Sequence, residues 1–407
     1  VKTRKKLIVF TRALPMHSIG GMQEVAWDVA RMFAERGHDI TVITAEIAGY
    51  PPSFEDSGVK VVTVKGADWR RYGTRWWDGS RSIFQRDFAD SCDGVLSISA
   101  GAYGLLKPRS LLKGVPLILQ AHGSSVAEFF SRWRTGRPLS MLKSVLNLLW
   151  VPRDMMAYRR FDVIVAVGDA VAKSFHRLPI SFAVQRSQVQ TIRNGIDTSL
   201  FRPDLGARAL RRRELGWGDS VRVVVSVGRL HRQKGGEFAL AAFARLAAEE
   251  SAGNLRYLVI GDGPEKENLE RLAEQLGVRH LVHFTGSVAR RELAPYLQAS
   301  DVMVFTTTHR EGMPLNVLEA QAVGMPVVVS SHLKATFQPS ERLLFALPRD
   351  TAAVAAALRA ALEMGNDGGT SLPDSQSLAY CAGKYLALFE ALKSTSATAA
   401  SSEAHNA

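Results

Sequence analysis

Cysteine is nearly absent from this chain, with Cys92 and Cys381 the only two in 407 residues. Neither belongs to a CxxC or Cys/His spacing, which excludes a disulfide framework and a thiolate zinc site, and a reducing, cytoplasmic compartment is expected. Long hydrophobic runs are missing too. The longest candidate, LSMLKSVLNLLWVP at 139–152, is broken by Lys143 and Pro152 and falls short of the roughly 18 residues of a spanning helix. The opening VKTRKKLIVF has a basic flank, but Leu7 to Phe10 is far shorter than a signal-peptide core and reads as a first strand. No repeat occurs at solenoid periods. Acidic residues are in deficit, 39 against 51 Lys and Arg, for a net charge of +12. That balance favours an acidic partner: anionic lipid, nucleic acid or a phosphorylated small molecule.

What is present describes a soluble globular chain long enough for two or three domains, with 46% apolar residues. Short β-branched runs alternate with longer amphipathic stretches: KLIVF, ITVIT, VKVVTV, GVLSIS, PLILQ and DVIVAV, then VRVVVSVG, YLVIG, LVHFTG, DVMVF and PVVVS. This alternation predicts parallel sheets covered by helices. Residues 20–36 place Met22, Val25, Ala26, Val29, Met32 and Phe33 on one helical face behind a glycine pair, and Gly37 suits the helix end. About eleven strands exceed one doubly wound sheet, and the polar stretch 198–219 interrupts the alternation. The pattern therefore predicts two Rossmann-like halves, 1–199 and 200–375, a further amphipathic helix over 376–393 and a small, polar, disordered tail over 394–407.

The stretch EGMPLNVLE, 311–319, sets Glu311 and Glu319 around Pro314, a residue suited to a first helical turn. Free amides at Leu315 and Asn316 make an anion site, with phosphate the usual occupant. Two carboxylates there are tolerable if they accept hydroxyls on either side of the phosphate and cations stand nearby. Arg229 and Lys234 in SVGRLHRQKGG follow a strand that ends in Gly228, at the carboxyl end where open α/β sheets bind ligands. An arginine fork and a compact lysine charge suit phosphate oxygens, although each alone also reads as a solvated loop charge. Hydroxyls, a diphosphate and more hydroxyls describe a nucleotide-diphosphate sugar.

With GGMQEVAWDVA, AHGSS, RNGIDTSLFRP, VGRLHRQKGGEFALAAFARL, LVIGDGPEKENLERLAEQLGV, VHFTGSV and EGMPLNVLEAQAVGMPVVVS in this order, the chain from Lys5 to about Leu392 resembles the retaining glycosyltransferases of family 4. The resemblance implies the GT-B fold: two Rossmann-like domains facing across a cleft, the donor held by the second, the acceptor by the first, and the last helix returning to the first. It implies that Glu319 binds the ribose hydroxyls, Glu311 the transferred sugar, and Arg229 with Lys234 the diphosphate. Gly20 and Gly21 would approach the diphosphate, His122 would lie near the sugar, and Gly286 to Val288, including Ser287, would meet the base. Met313, Leu315 and Asn316 would complete the donor site, and Gly263 of the GDGP turn would border the base. His122 also reads as a satisfied histidine at a strand end, and Gly20-Gly21 as a plain helix-start turn. RNGID is expected to shape the domain connection. One departure stands out: SSHLKATFQPSERLLFALP replaces the glycine pair and PE step of many relatives, so donor contacts beyond Ser331 are not assigned.

The implied activity is transfer of a hexose-type sugar, with retention and without a metal or other cofactor, from a UDP- or GDP-linked donor to a glycan or glycolipid hydroxyl, in cell-envelope, lipopolysaccharide or polysaccharide synthesis. The rival is a non-catalytic module that binds nucleotide sugar or membrane, against which the intact Glu311, Glu319, Arg229 and Lys234 speak. ADWRRYGTRWWDGSRS at 67–82 and FFSRWRTGRP at 129–138 interleave tryptophan with arginine, as suits peripheral attachment to anionic lipid at the inner face of a membrane. The same ingredients could serve nucleic acid, but no nucleic-acid motif accompanies them.

Overall fold

The β-branched runs pair into two sheets in the computed structural model of the chain, which describes all residues except 1–3, 19, 108, 113, 124–149, 250–253, 310, 367–368 and 406–407. Contacts divide the chain into one unit of 1–195 with 378–407 and a second of 196–377. The boundary predicted at 199/200 thus falls at Gly195/Ile196, inside RNGID. The second boundary moves from 375/376 to Ser377/Leu378, since Ile196 and Ser377 bridge each other in parallel and close the second unit at its base.

In the first unit the strands are β1 (Lys6–Phe10), β2 (Asp39–Ala45), β3 (Ser53–Asp56), β4 (Val59–Val64), β5 (Gly94–Ile98), β6 (Leu117–Ala121), β7 (Val163–Ala166) and β8 (Val189–Thr191). They lie in the order β3-β4-β2-β1-β5-β6-β7-β8, parallel except for β3, which pairs antiparallel with β4. Helix Gly21–Glu35 opens at the glycine pair and buries Val25, Ala26, Val29 and Phe33; Gly37 takes φ +84 beyond its end, a conformation L side chains resist.

Trp76 and Trp77, which the composition offered to a lipid surface, are buried in this unit's core. Their indole N–H groups donate to the carbonyls of Gly101 and Ala100 at 3.0 and 3.3 Å. The aromatic surface of 67–82 is used for packing because helix Thr74–Asp87 turns both tryptophans inward. Residues 129–138 and most of 139–152 lie outside the described residues.

Helix Leu378–His405 belongs to the first unit. Tyr385 and Phe389 on it are buried, Tyr385 accepts a 2.7 Å bond from Gln120 Nε2 of β6, and Arg36 Nη2 donates to Ala379 O at 2.5 Å. The helix runs past residue 393, where the composition predicted a disordered tail. Its continuation is rich in alanine, the best helix former, and adding residues to an anchored helix avoids the cost of nucleation.

The second unit carries β9 (Arg222–Val227), β10 (Leu255–Ile260), β11 (Val282–Gly286), β12 (Val302–Phe305), β13 (Val327–Ser330) and β14 (Leu343–Ala346), all parallel, in the order β11-β10-β9-β12-β13-β14. Strand order reverses between β9 and β12. At such a switch point the loops leave in opposite directions and open a crevice at the carboxyl ends.

Candidate functional site

Of the residues the sequence assigned to the donor, Arg229 and Lys234 line that crevice, together with Val227, Gly228, Phe305 and Thr306. Gly228 has φ +147 and turns the chain sharply out of β9. Arg229 next to it is exposed, with no carboxylate partner among the described residues. The loop then tightens through Arg232–Lys234 to Gly235, at φ +66, where a Cβ would stand 2.1 Å from Thr306 O. Glycine is required there, and the close approach fixes Lys234 over β12.

Lys234 Nζ donates to Glu311 Oε1 at 2.7 Å, and Thr307 Oγ1 reaches the same oxygen at 3.3 Å. The pair is partly buried. Helix Leu315–Ala322 begins just beyond, with Pro314 at its N-cap, one position earlier than expected. Leu315 and Asn316 supply its first amides, which have no intrahelical acceptor. Asn316 uses its side chain internally: Nδ2 donates to Val227 O at 2.7 Å, tying the helix start to the end of β9. Met313 is buried beneath, its sulfur 3.7 Å from Gln376 Nε2.

Glu319 lies one turn deeper and meets a residue that sequence reasoning missed. Arg290 Nε donates to Glu319 Oε1 at 2.9 Å, with the two side chains only 12% and 5% exposed. Arg290 opens helix Arg290–Ala299, directly after Gly286, Ser287 and Val288, and its guanidinium lies 5.6 Å from the centre of the Phe201 ring. A basic residue two positions after the segment assigned to the base was the available signal. Ser287 is exposed, and Val288 packs partly against the core.

The GDGP turn braces the cationic loop. Leu230 N donates to Asp262 O at 2.9 Å, Glu265 N to Leu230 O at 3.1 Å, and Gly228 N to Ile260 O at 3.0 Å. Cβ atoms at Gly261 and Gly263 would stand 2.0 and 2.3 Å from the carbonyl oxygens of Gly228 and Leu230. Gly263 therefore has a structural reason to be glycine, whatever it borders. His309 completes the surroundings; burial lowers its pKa, Glu311 opposes that shift, and Lys234 adds to it.

In the first unit Gly20 is extended at the N-cap of its helix, and Gln23 Nε2 donates to Ser18 Oγ at 3.2 Å beside it. Gly21 is the first helical residue. His122 follows β6, its Nε2 3.2 Å from Gln120 Oε1, which continues the chain of bonds to Tyr385. Burial pushes the His122 pKa down to about 4, so the ring is neutral near pH 7.

Two family models cover most of the sequence: "Glycosyltransferase Family 4" matches 19–200 and "Glycosyl transferases group 1" matches 221–364. A D-inositol 3-phosphate glycosyltransferase of Segniliparus rotundus is 34% identical over 333 residues, 76% of this chain and 69% of that protein. The chain is a family 4 glycosyltransferase. This family 4 enzyme is also 28% identical over 328 residues, 77% of each chain, to a GDP-mannose-dependent alpha-(1-6)-phosphatidylinositol monomannoside mannosyltransferase of Mycobacterium tuberculosis. Its fold is GT-B. The sucrose-phosphate synthase of Thermosynechococcus elongatus superposes with a TM-score of 0.70 at 18% identity, over 99% of this chain and all of that one. As a member of this family the protein is a sugar-transferring enzyme.

Proposed function

We propose that this glycosyltransferase moves a hexose-type sugar from a nucleotide-diphosphate sugar, UDP- or GDP-linked, to a hydroxyl of a glycan or glycolipid, with retention of anomeric configuration and without a metal. The observation that carries the reading is the placement of Arg229 and Lys234 on one crevice at the end of β9, to which Asn316 Nδ2 ties the start of helix Leu315–Ala322, with Glu311 held by Lys234 at 2.7 Å. These groups favour the negative charge that grows as the nucleoside diphosphate departs, each aligned donor contributing roughly 3 kcal/mol to lowering the barrier. Glu311 then accepts from sugar hydroxyls and Glu319, oriented by Arg290, from the ribose. Neutral His122, in the first unit, can offer or accept a hydrogen bond but carries no charge.

The choice between retaining routes follows from what flanks the sugar in this reading. A double displacement needs a second carboxylate about 5 Å from the first across the anomeric carbon. Glu319 is committed to Arg290, which leaves Glu311 alone. In a front-face substitution the bond from the anomeric carbon to the diphosphate oxygen breaks while the acceptor oxygen bonds on the same face. The acceptor proton passes to a phosphate oxygen of the leaving group. The two relatives are named for phosphorylated inositol or phosphatidylinositol-linked acceptors, which supports a polar, phosphate-bearing acceptor class. NMR of the product linkage, formed in the presence of EDTA from whichever donor raises the melting temperature, tests the proposal. An inverted linkage overturns retention, and activity restored only by magnesium or manganese overturns the cation account.

A further inference from the structure

The most exposed large apolar side chains of the first unit lie in segments away from the carboxyl ends of its sheet. Phe182 and Leu178 are 72% and 66% exposed in the connection between helix Asp169–Phe175 and β8, and Met156 is 55% exposed near the end of helix Trp150–Tyr158. A 3.1 Å bond from Arg159 Nη2 to Phe182 O joins the two segments that carry these three apolar groups. Apolar groups exposed on joined segments and set among polar residues suit contact with a partner or a membrane.

Charge selects the partner. Arg159, Arg177 and Arg186 are exposed in these same segments. The carboxylates nearby in sequence are turned to internal bonds: Asp154 accepts from Tyr103 OH, Asp162 from Leu117 N, and Asp169 pairs with Arg193. A second copy of the chain would set like charges against each other. Nucleic acid would neutralise the arginines and leave Leu178 and Phe182 in water. A bilayer with anionic headgroups accommodates both, hydrocarbon for the apolar tips and phosphate for the guanidinium groups. We infer that Met156, Leu178 and Phe182, together with the exposed Arg159, Arg177 and Arg186 of the same segments, form a peripheral docking surface for anionic lipid. The surface is separate from Trp76 and Trp77, which the core consumes, and it stands independently of the donor chemistry above.

Co-sedimentation of the full chain with vesicles of phosphatidylcholine alone, or mixed in equal parts with phosphatidylserine, tests this. Binding should require phosphatidylserine and fall at least tenfold between about 0.1 and 1 M salt, where the Debye length shrinks from about 10 to 3 Å. Leu178→Asp combined with Phe182→Asp should reduce binding at least tenfold at an unchanged melting temperature, as should Arg177→Glu with Arg186→Glu. A Phe182→Cys variant carrying an environment-sensitive dye gives a local readout, because burial pushes the thiols of Cys92 and Cys381 up to about 12 and favours labelling at 182. Its emission should shift to the blue on mixed vesicles. Equal binding to neutral vesicles, wild-type binding by either double variant, or an unshifted dye on a bound protein would overturn the inference.

Discussion

Replacing Arg290 by leucine should separate what the Arg290–Glu319 pair does for the fold from what it does for the donor. The pair is nearly enclosed, at 12% and 5% exposure, with a 2.9 Å bond. Removing one partner of a buried pair costs about 3 to 5 kcal/mol, because the other charge is left in a poor solvent. For a unit of 196–377, near the size at which 1 kcal/mol shifts the melting temperature by about 2 to 4 °C, the transition should fall by roughly 6 to 20 °C. Arg290→Leu with Glu319→Leu should regain most of that loss, since an apolar replacement of a buried pair is often neutral or better. Donor affinity should not return with it, because the proposed ribose acceptor is gone. Scanning calorimetry of the two single variants and the double variant gives the stability cycle, and titration with the stabilising nucleotide sugar gives affinity. A double variant as unstable as Arg290→Leu would refute the charge argument; one that binds donor normally would refute the ribose role.

Lys234→Ala should lower turnover at saturating donor at least a hundredfold, and Lys234→Gln should do no better, since the charge opposite Glu311 is what acts; near-normal turnover in steady-state assays would remove the clamp. Gly261→Ala should destabilise the second unit by about 2 kcal/mol or more, because φ +136 and a carbonyl 2.0 Å from the new Cβ cannot both be relieved. An unchanged denaturation midpoint would show that the loop yields. His122 binds its proton less readily in the folded chain, with its pKa at about 4, than in the unfolded chain, where it has the ordinary value of 6.5. The associated stability is therefore complete above pH 6.5 and is lost as pH falls toward 4, by up to about 3 kcal/mol. His122→Asn should flatten that interval in a pH series of melts, and an equal slope in both proteins would contradict it.

Strands buried on both faces were legible because their β-branched runs are continuous: KLIVF became β1 and VRVVVSVG became β9 with its glycine exit. Three strands escaped, each for a local reason. Ser53–Asp56 is a polar antiparallel edge, Val189–Thr191 is only three residues long, and Leu343–Ala346 is half-exposed in a segment that departs from the family pattern. At the site, Glu311 and Lys234 could be placed from motif and spacing. For Arg290 the sequence offered only a basic residue near the base segment; its pairing with Glu319 spans 29 positions, and no periodicity announces a contact made by tertiary packing. Trp76 and Trp77 misled because composition does not say which face of a helix meets the core, and both face inward.

The last helix has a consequence for biosynthesis. Tyr385 and Phe389 fill space in the first unit, Phe389 beside Gly94 of β5, yet residues 196–377 emerge from the ribosome before them. The second unit can close its own sheet, with Ile196 bridged to Ser377, while the first still lacks two aromatic rings of its core. Domains generally fold as units during synthesis, the earlier one first. Here that order is inverted for completion: the earlier unit must wait, with apolar surface open, until the helix from Leu378 has been made.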